Sequence, residues 1–338
     1  MKIYNKKSLN EYHQSLTYDD ISLIPRDISR IKSRKEVDTE SKFLGQKLSI
    51  PIISSPMESV TGIEMARELS SLGCIGIVNR FDSSLGELLK NKNNGRKINA
   101  ISVALNTPLD TIKKLSEGVK IICIDTANAS NREVLKKSEQ IKSNTRVKVI
   151  VGNIAHGTSL KQLVDAGADA VRVGIGSGSV CSTSIQTGIG IGQVSSILDV
   201  YFARKEGKYK IEIIADGGIK GAGDIAKAIA LGADAVMIGR LLAGTRETPG
   251  EVIRYNDQLW KKYRGSASFG VKMKNEFIEG EETMVPFKGV VKNVVNAISD
   301  GLRSSMSYMN CQSIDELRNI EAFAVLSNYS YLERLPKP

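Results

Sequence analysis

Short runs rich in β-branched residues recur along the chain at regular intervals. They are LSIPIISSPM (48–57), CIGIVNRF (74–81), INAISVAL (98–105), VKIICIDTA (119–127), RVKVIVGNI (146–154), ADAVRVGIG (168–176), YKIEIIADGGI (209–219) and ADAVMIGRL (233–241). Between them lie segments such as GIEMARELSSLG, LDTIKKLSEG, SLKQLVDAG and GAGDIAKAIALG. These mix charges with apolar residues at helical spacing, and several end in glycine. Strand and helix in alternation argue for a parallel sheet. Eight such units predict a closed (β/α)8 barrel, with a doubly wound open sheet as the alternative. The stretches LVDAGADAVRVGIG and AIALGADAVMIGRL repeat one pattern of helix, turn, strand and glycine-rich loop, which supports the repetitive architecture. The expected organisation is a single barrel domain with an N-terminal extension (1–47) and a C-terminal tail from about residue 290 to 338.

In such a barrel the chemistry sits at the C-terminal ends of the strands. In this chain those ends read SSPMES, NRFDSS, ALNTP, DTANAS, GNIAHG, GIGSGSVCSTS, ADGGIKGAG and GRLLAGT. The last two fit the barrel's usual phosphate site, where backbone N–H groups near helix N-termini cradle an anion. Arg240 can add charge there, and Asp216 can accept hydrogen bonds from a ribose diol. Tight turns alone would also account for these glycines.

The sixth strand end carries Cys181 on a polar, glycine-rich loop. A nucleophilic thiolate needs backbone N–H groups, a helix N-terminus or a cation close by. Thr183, two residues on, can relay a proton. From the loop alone, nucleophile and incidental cysteine stand level.

Composition narrows the class. The formal charge of +10 is spread along the chain and mixed with acids, so it suits small anions or a solvated surface rather than nucleic acid. The four cysteines, at 74, 123, 181 and 311, form no CxxC, which argues against a zinc site and against a disulfide framework. No run is long enough for a membrane helix, and the first residues lack a signal-peptide core. A cytoplasmic location is expected. His13 and His156 carry no recognisable motif.

The loop GIGSGSVCSTS, the segment ADGGIKGAGDIAKAIALGADAVMIGRLLAGTRETPGE, KKYRG (261–265), LTYDDISLIP (16–25) and IPIISSPMESVT (50–61) together resemble the IMP dehydrogenase/GMP reductase family. The resemblance runs from about residue 16 to 325. It implies a (β/α)8 barrel, assembled as a tetramer, acting on a purine nucleoside monophosphate with a nicotinamide cofactor. It implies that Cys181 attacks C2 of the purine and that the carbonyls of Gly176, Gly178 and Cys181 bind potassium. It also implies that Ser55 and Met57 border the base and that Ser179, Gly217, Gly218, Gly239 and Arg240 serve the phosphate. Asp216 would hold the ribose, and Tyr263 and Gly265 complete the nucleotide site.

Three features favour the reductase branch. CIGIVNRF leads through a short helix to INAISVAL, leaving no room for inserted CBS modules. Only VKMKNE separates KKYRGSASFG from FIEGEET, so a long flap bearing a water-activating Arg-Tyr pair is absent; the pair Arg254-Tyr255 precedes KKYRG. IKSRKEVD (31–38) resembles the reductase KSRxEVD segment, implying that Ser33 and Arg34 contact the 2′-phosphate of NADPH. IDTANAS implies that Asp125, Thr126 and Ala127 face the cofactor, with Asn128 nearby, and Glu279 pairs with Thr183 for proton transfer. The expected reaction is NADPH-dependent conversion of GMP to IMP and ammonia. Alternatives are an IMP dehydrogenase, a reductase for another 2-aminopurine nucleotide such as dGMP, a non-catalytic nucleotide sensor, and an FMN-dependent barrel. Departures from the reductase pattern are Asn79-Arg80 for His-Lys, Ser184 for arginine, Gly265-Ser266-Ala267 for Gly-Met-Ser, and Glu276 for arginine. Arg80 keeps the cofactor-side charge but does not readily give up a proton.

Overall fold

A computed structural model of the chain describes residues 2–25, 28–81, 98–266, 268 and 280–333. The eight expected strands close into one parallel barrel. Numbered from the first barrel strand, they are β1 (Ile52–Ser54), β2 (Ile75–Val78), β3 (Ala100–Val103), β4 (Ile121–Asp125), β5 (Lys148–Ile154), β6 (Ala170–Val173), β7 (Glu212–Asp216) and β8 (Ala235–Ile238). Closure is made at Ile53, which lies level with Ile75 of β2 on one side and Met237 of β8 on the other. The open-sheet alternative is thereby excluded. The observed strands are shorter than the apolar runs. In LSIPIISSPM, Leu48 belongs to a preceding hairpin and Ser55–Met57 turn away into the barrel mouth.

The outer helices are α1 (Ile63–Ser71), α2 (Leu109–Ser116), α3 (Arg132–Asn144), α4 (Leu160–Asp165), α6 (Gln193–Glu206), α7 (Ala222–Ala230) and α8 (Val291–Tyr308), while the short α5 (Thr183–Thr187) lies in the loop after β6 and begins at the cavity. Successive strand residues face opposite ways. Ile121 and Cys123 point into the barrel while Ile122 and Ile124 pack under the helices. Helix α8 packs against α7 and α1. It takes the place of the helix of the last barrel unit.

The lower end of the barrel is closed by a hairpin, Ser41–Phe43 with Gln46–Leu48. It inserts Phe43, Leu44 and Leu48 among Ile53, Ile75, Ile121 and Ile214. Glu212, at the start of β7, accepts the Leu44 N–H at 2.7 Å. Between β8 and α8 the chain makes a three-stranded antiparallel sheet, Ile253–Tyr255, Gln258–Arg264 and Glu282–Pro286. Buried Lys261 pins this sheet to the barrel, donating to the carbonyls of Thr245, Arg246 and Thr248 at 3.3, 3.3 and 2.5 Å. Strand Ile21–Leu23 pairs with Phe323–Val325, tying the two ends of the chain together. Among the described residues, no helix is long and apolar enough to cross a membrane.

Candidate active site

A cavity of about 630 Å³ opens at the C-terminal ends of the strands. The loops after β6 and β7 form its floor by packing backbone against backbone. Gly174, at φ 141°, has no room for a side chain, since a Cβ would fall 2.0 Å from the Asp216 carbonyl oxygen. Gly217, at φ 104°, would place a Cβ 2.3 Å from Ser177 Oγ. The glycines of these two loops are thus needed for close approach and for backbone conformations that other residues avoid. Buried Gln193 reinforces the contact: its Nε2 donates to the Val173 carbonyl at 2.6 Å and its Oε1 accepts from Ser177 Oγ at 2.9 Å.

Cys181 lies at the cavity, partly exposed, and its thiol donates to Thr183 Oγ1 at 3.2 Å. The other three cysteines are buried, and burial pushes the thiols of Cys74 and Cys123 up to about 12. The loop around Cys181 is held by a distant segment. Gly280 bridges Cys181, Glu281 N–H donates to the Val180 carbonyl at 3.0 Å, and Gly265 N–H donates to the Glu281 carbonyl at 2.9 Å. Glu279 itself lies outside the described residues, as do Ala267, Glu276 and the VKMKNE stretch, though the neighbour Gly280 is at Cys181.

Ser55, Met57, Ser179, Asp216, Gly217, Gly218, Gly239, Arg240, Tyr263 and Gly265 all line the same cavity. Tyr263 is buried, which raises its hydroxyl above the usual value. That hydroxyl accepts from Ser179 Oγ at 3.4 Å and points at Met57 Sδ, 3.9 Å away. Gly217, Gly218 and Gly239 line the cavity with Arg240, and Gly239 lies against Met57 and Tyr263, where a Cβ would fall 3.2 Å from Met57 Sδ and from the Tyr263 hydroxyl. Lys288, absent from the sequence reading, joins them: its Nζ donates to the carbonyls of Arg240 and Leu241 at 2.9 and 3.1 Å. Burial, with Arg240 adding to it, lowers the Lys288 ammonium. Two cations and several backbone N–H groups can hold an anionic oxygen cluster here.

Arg80, Asp125, Thr126 and Ala127 line the cavity, and Asn128 does not. The Asn128 side chain instead accepts the Ser130 N–H at 2.9 Å, closing a local turn. Ser33 and Arg34 are not brought to the cavity either. Arg34–Glu36 form a single 3-10 turn that packs against α8 on the outside of the barrel, where Arg303 donates to the Val37 carbonyl. The loop carbonyls of Gly176, Gly178 and Cys181 are oxygen donors suited to a hard monovalent cation. That of Gly178 also accepts the Cys181 N–H at 3.1 Å, leaving one lone pair. Among the described residues, no group of three or more His, Cys, Asp or Glu could hold a metal.

The sequence reading also missed Arg172 and Asn153. Arg172 sits on β6 with its side chain 8% exposed. Its Nη1 donates to Asp125 at 2.7 Å, while Nε and Nη2 donate to Asp216 at 3.1 and 2.8 Å. Asn153 Nδ2 donates to Asp216 at 2.8 Å, and Arg80 Nε to Asp125 at 3.0 Å. Burial favours a neutral Asp125, but the Arg172 and Arg80 guanidinium groups outweigh it and hold the carboxyl below its usual range. Burial likewise opposes the charge on Arg172, and Asp216 foremost keeps it protonated. No local motif marks these two side chains; only barrel closure brings them beside Asp216.

The same family emerges from comparison with known sequences. The sequence model of the IMP dehydrogenase / GMP reductase domain matches residues 15–336. The chain is 44% identical to the inosine-5′-monophosphate dehydrogenase of Aquifex aeolicus, over 67% of this chain and 49% of that protein, so it spans about half the length of that relative. It is 35% identical to the inosine-5′-monophosphate dehydrogenase of Cryptosporidium parvum, over 90% of each chain. It is 36% identical to the GMP reductase of Streptococcus gordonii, over 95% of this chain and 97% of that protein. With a thiol-bearing loop, a nucleotide-sized cavity and a match over nearly its whole length, the chain belongs to the IMP dehydrogenase/GMP reductase family of oxidoreductases.

Proposed function

We propose that the protein is a GMP reductase, converting GMP and NADPH to IMP, ammonia and NADP+. The observation that carries this reading is the position of Arg254-Tyr255. This is the chain's single Arg-Tyr dipeptide, and it lies on the exposed strand Ile253–Tyr255, outside the cavity, with Arg254 paired to Asp257 at 3.1 Å. A dehydrogenase needs such a pair to activate water against the covalent intermediate. A reductase does not.

In this scheme the phosphate rests on Gly217, Gly218, Gly239 and Arg240, with Ser179 beside it. Asp216 accepts from the ribose, and Ser55 and Met57 border the base near Cys181. The Cys181 sulfur bonds to C2 of the purine, and the amine leaves as ammonia after protonation through Thr183 and its partner Glu279. NADPH supplies the hydride to C2. The carbon–sulfur bond then breaks, returning its electron pair to sulfur and releasing IMP. Arg80, Thr126 and Ala127 border the nicotinamide side of the cavity. Potassium on the loop carbonyls would fix the loop's shape. Arg34, outside the cavity of its own chain, would meet the 2′-phosphate from a neighbouring copy of a homotetramer. The runner-up, an IMP dehydrogenase, is favoured by the 44% identity to the Aquifex relative.

The test is direct. Purified protein is given GMP with NADPH, and separately IMP with NAD+, and ammonia, IMP and XMP are measured. Turnover with ammonia release in the first mixture, and little XMP in the second, is the expected result. Rapid, sustained XMP formation would replace the reductase reading with the dehydrogenase one.

A further inference from the structure

The charged groups of the cavity form one chain. Arg80, Asp125, Arg172 and Asp216 come from the ends of β2, β4, β6 and β7, and their charges alternate. Both oxygens of Asp125 are taken: Oδ1 by Arg172 Nη1 and Oδ2 by Arg80 Nε. Arg172 divides its donors, one to Asp125 and two to Asp216. Among the described residues, the three side-chain donors to Asp216, Arg172 Nε, Arg172 Nη2 and Asn153 Nδ2, converge on Oδ2. The protein donors thus leave Oδ1 for a ligand hydroxyl in the cavity that Asp216 lines. Three of the four side chains are nearly buried, at 8%, 10% and 12% exposure, and Arg80 is the accessible end at 27%. The Arg80 guanidinium is further fixed by the Phe81 ring, its carbon 5.0 Å from the ring centroid.

In a buried chain of this kind each charge depends on both neighbours. Remove Arg80, and Asp125 keeps only Arg172. The stronger mutual pull draws the guanidinium toward Asp125 and loosens its double hold on Asp216. We propose that Arg80 is a positioning residue for the nucleotide sugar: acting through Asp125 and Arg172, it aims Asp216 Oδ1 at the ribose 2′-hydroxyl and so sets discrimination between ribo- and deoxyribonucleotides. The inference rests on the reading of Asp216 as the sugar ligand. It makes Arg80, joined to Asp216 through Asp125 and Arg172, matter to a substrate group it does not touch.

The test measures binding of GMP and of dGMP to the whole protein by titration calorimetry, without cofactor. The unmodified protein should prefer GMP by about tenfold, as the loss of a hydrogen bond to a charged group implies. Arg80→Ala should lower that preference by about fivefold or more, a usual size for coupling between two sites. Arg80→Lys should keep most of it, because an ammonium can still pair with Asp125. A purely local role for Arg80 would leave the ratio untouched and move only the cofactor KM. Asp216→Ala separates the two levels of the argument. If Asp216→Ala abolishes the preference while Arg80→Ala leaves it within about twofold, the relay is wrong and the sugar site stands. If Asp216→Ala leaves the preference intact, or the unmodified protein binds both nucleotides equally, the sugar site and the relay both fall. Thermal melting of each variant confirms that folded protein is being compared.

Discussion

The two mouths of the barrel are built from the same eight strands and resemble each other in nothing else. The lower mouth is filled by Phe43, Leu44 and Leu48 on a hairpin, with Glu212 the carboxyl that caps its turn. The upper mouth is hollow, rimmed by glycine loops and crossed by two arginines and two aspartates. Apolar filling needs no partner beyond contact and tolerates no void. Charged groups hold an open cavity only where each is paired, and so they carry geometry rather than net stability. The lower mouth therefore secures the barrel, and the upper one spends that security on a site.

Substitutions at the two ends should separate the roles. The largest effect is expected above. On the proposed mechanism, Cys181→Ser should lower nucleotide-dependent NADPH oxidation at least about a thousandfold, because the covalent step would be lost, while the denaturation midpoint stays put. The mirror experiment is Phe43→Ala, which should cost about 3–5 kcal/mol in denaturant unfolding and leave kcat nearly unchanged below the melting range. A fall in kcat as large as the one at Cys181 would mean that the two mouths are mechanically joined. The smallest effect concerns Glu212, whose carboxyl is pushed up to about 7 by burial. The folded protein then holds a proton where the unfolded chain has released it. Stability should fall as pH rises from about 4.5 to about 7 and level off above. Glu212→Gln should remove this slope, a change of about 1 kcal/mol once solvent screening is allowed for. An unchanged slope in unfolding curves taken across that range would clear Glu212 of the effect.

What was legible in the sequence was whatever a short window contains. The runs around Ile53, Ile122 and Val236 announce strands because a two-faced buried strand has to be apolar and branched. The loop around Cys181 stands out because its glycines are local. The hairpin at Phe43 and the three-stranded sheet after β8 went unseen, since their strands are largely polar and exposed and lack a continuous apolar run. Arg172, Asn153 and Lys288 were illegible for a different reason. Each looks like an ordinary polar residue in its own segment, and gains meaning only when strands far apart in sequence meet at the mouth. Arg34 shows the converse. Its motif is distinct, yet the turn that carries it is packed on the outside of the barrel against α8.

The bridge from Gly280 to Cys181 has a consequence in time. About a hundred residues separate the two. A ribosome takes on the order of 5–20 s to add that many. β8 ends at Ile238, so all eight strands are in hand well before Gly280 is made. A nascent barrel can thus close around its core while the thiol loop still lacks its clamp. The sulfur of Cys181 acquires its final setting only after every barrel strand has been made, while the last outer helix, α8, is still to come.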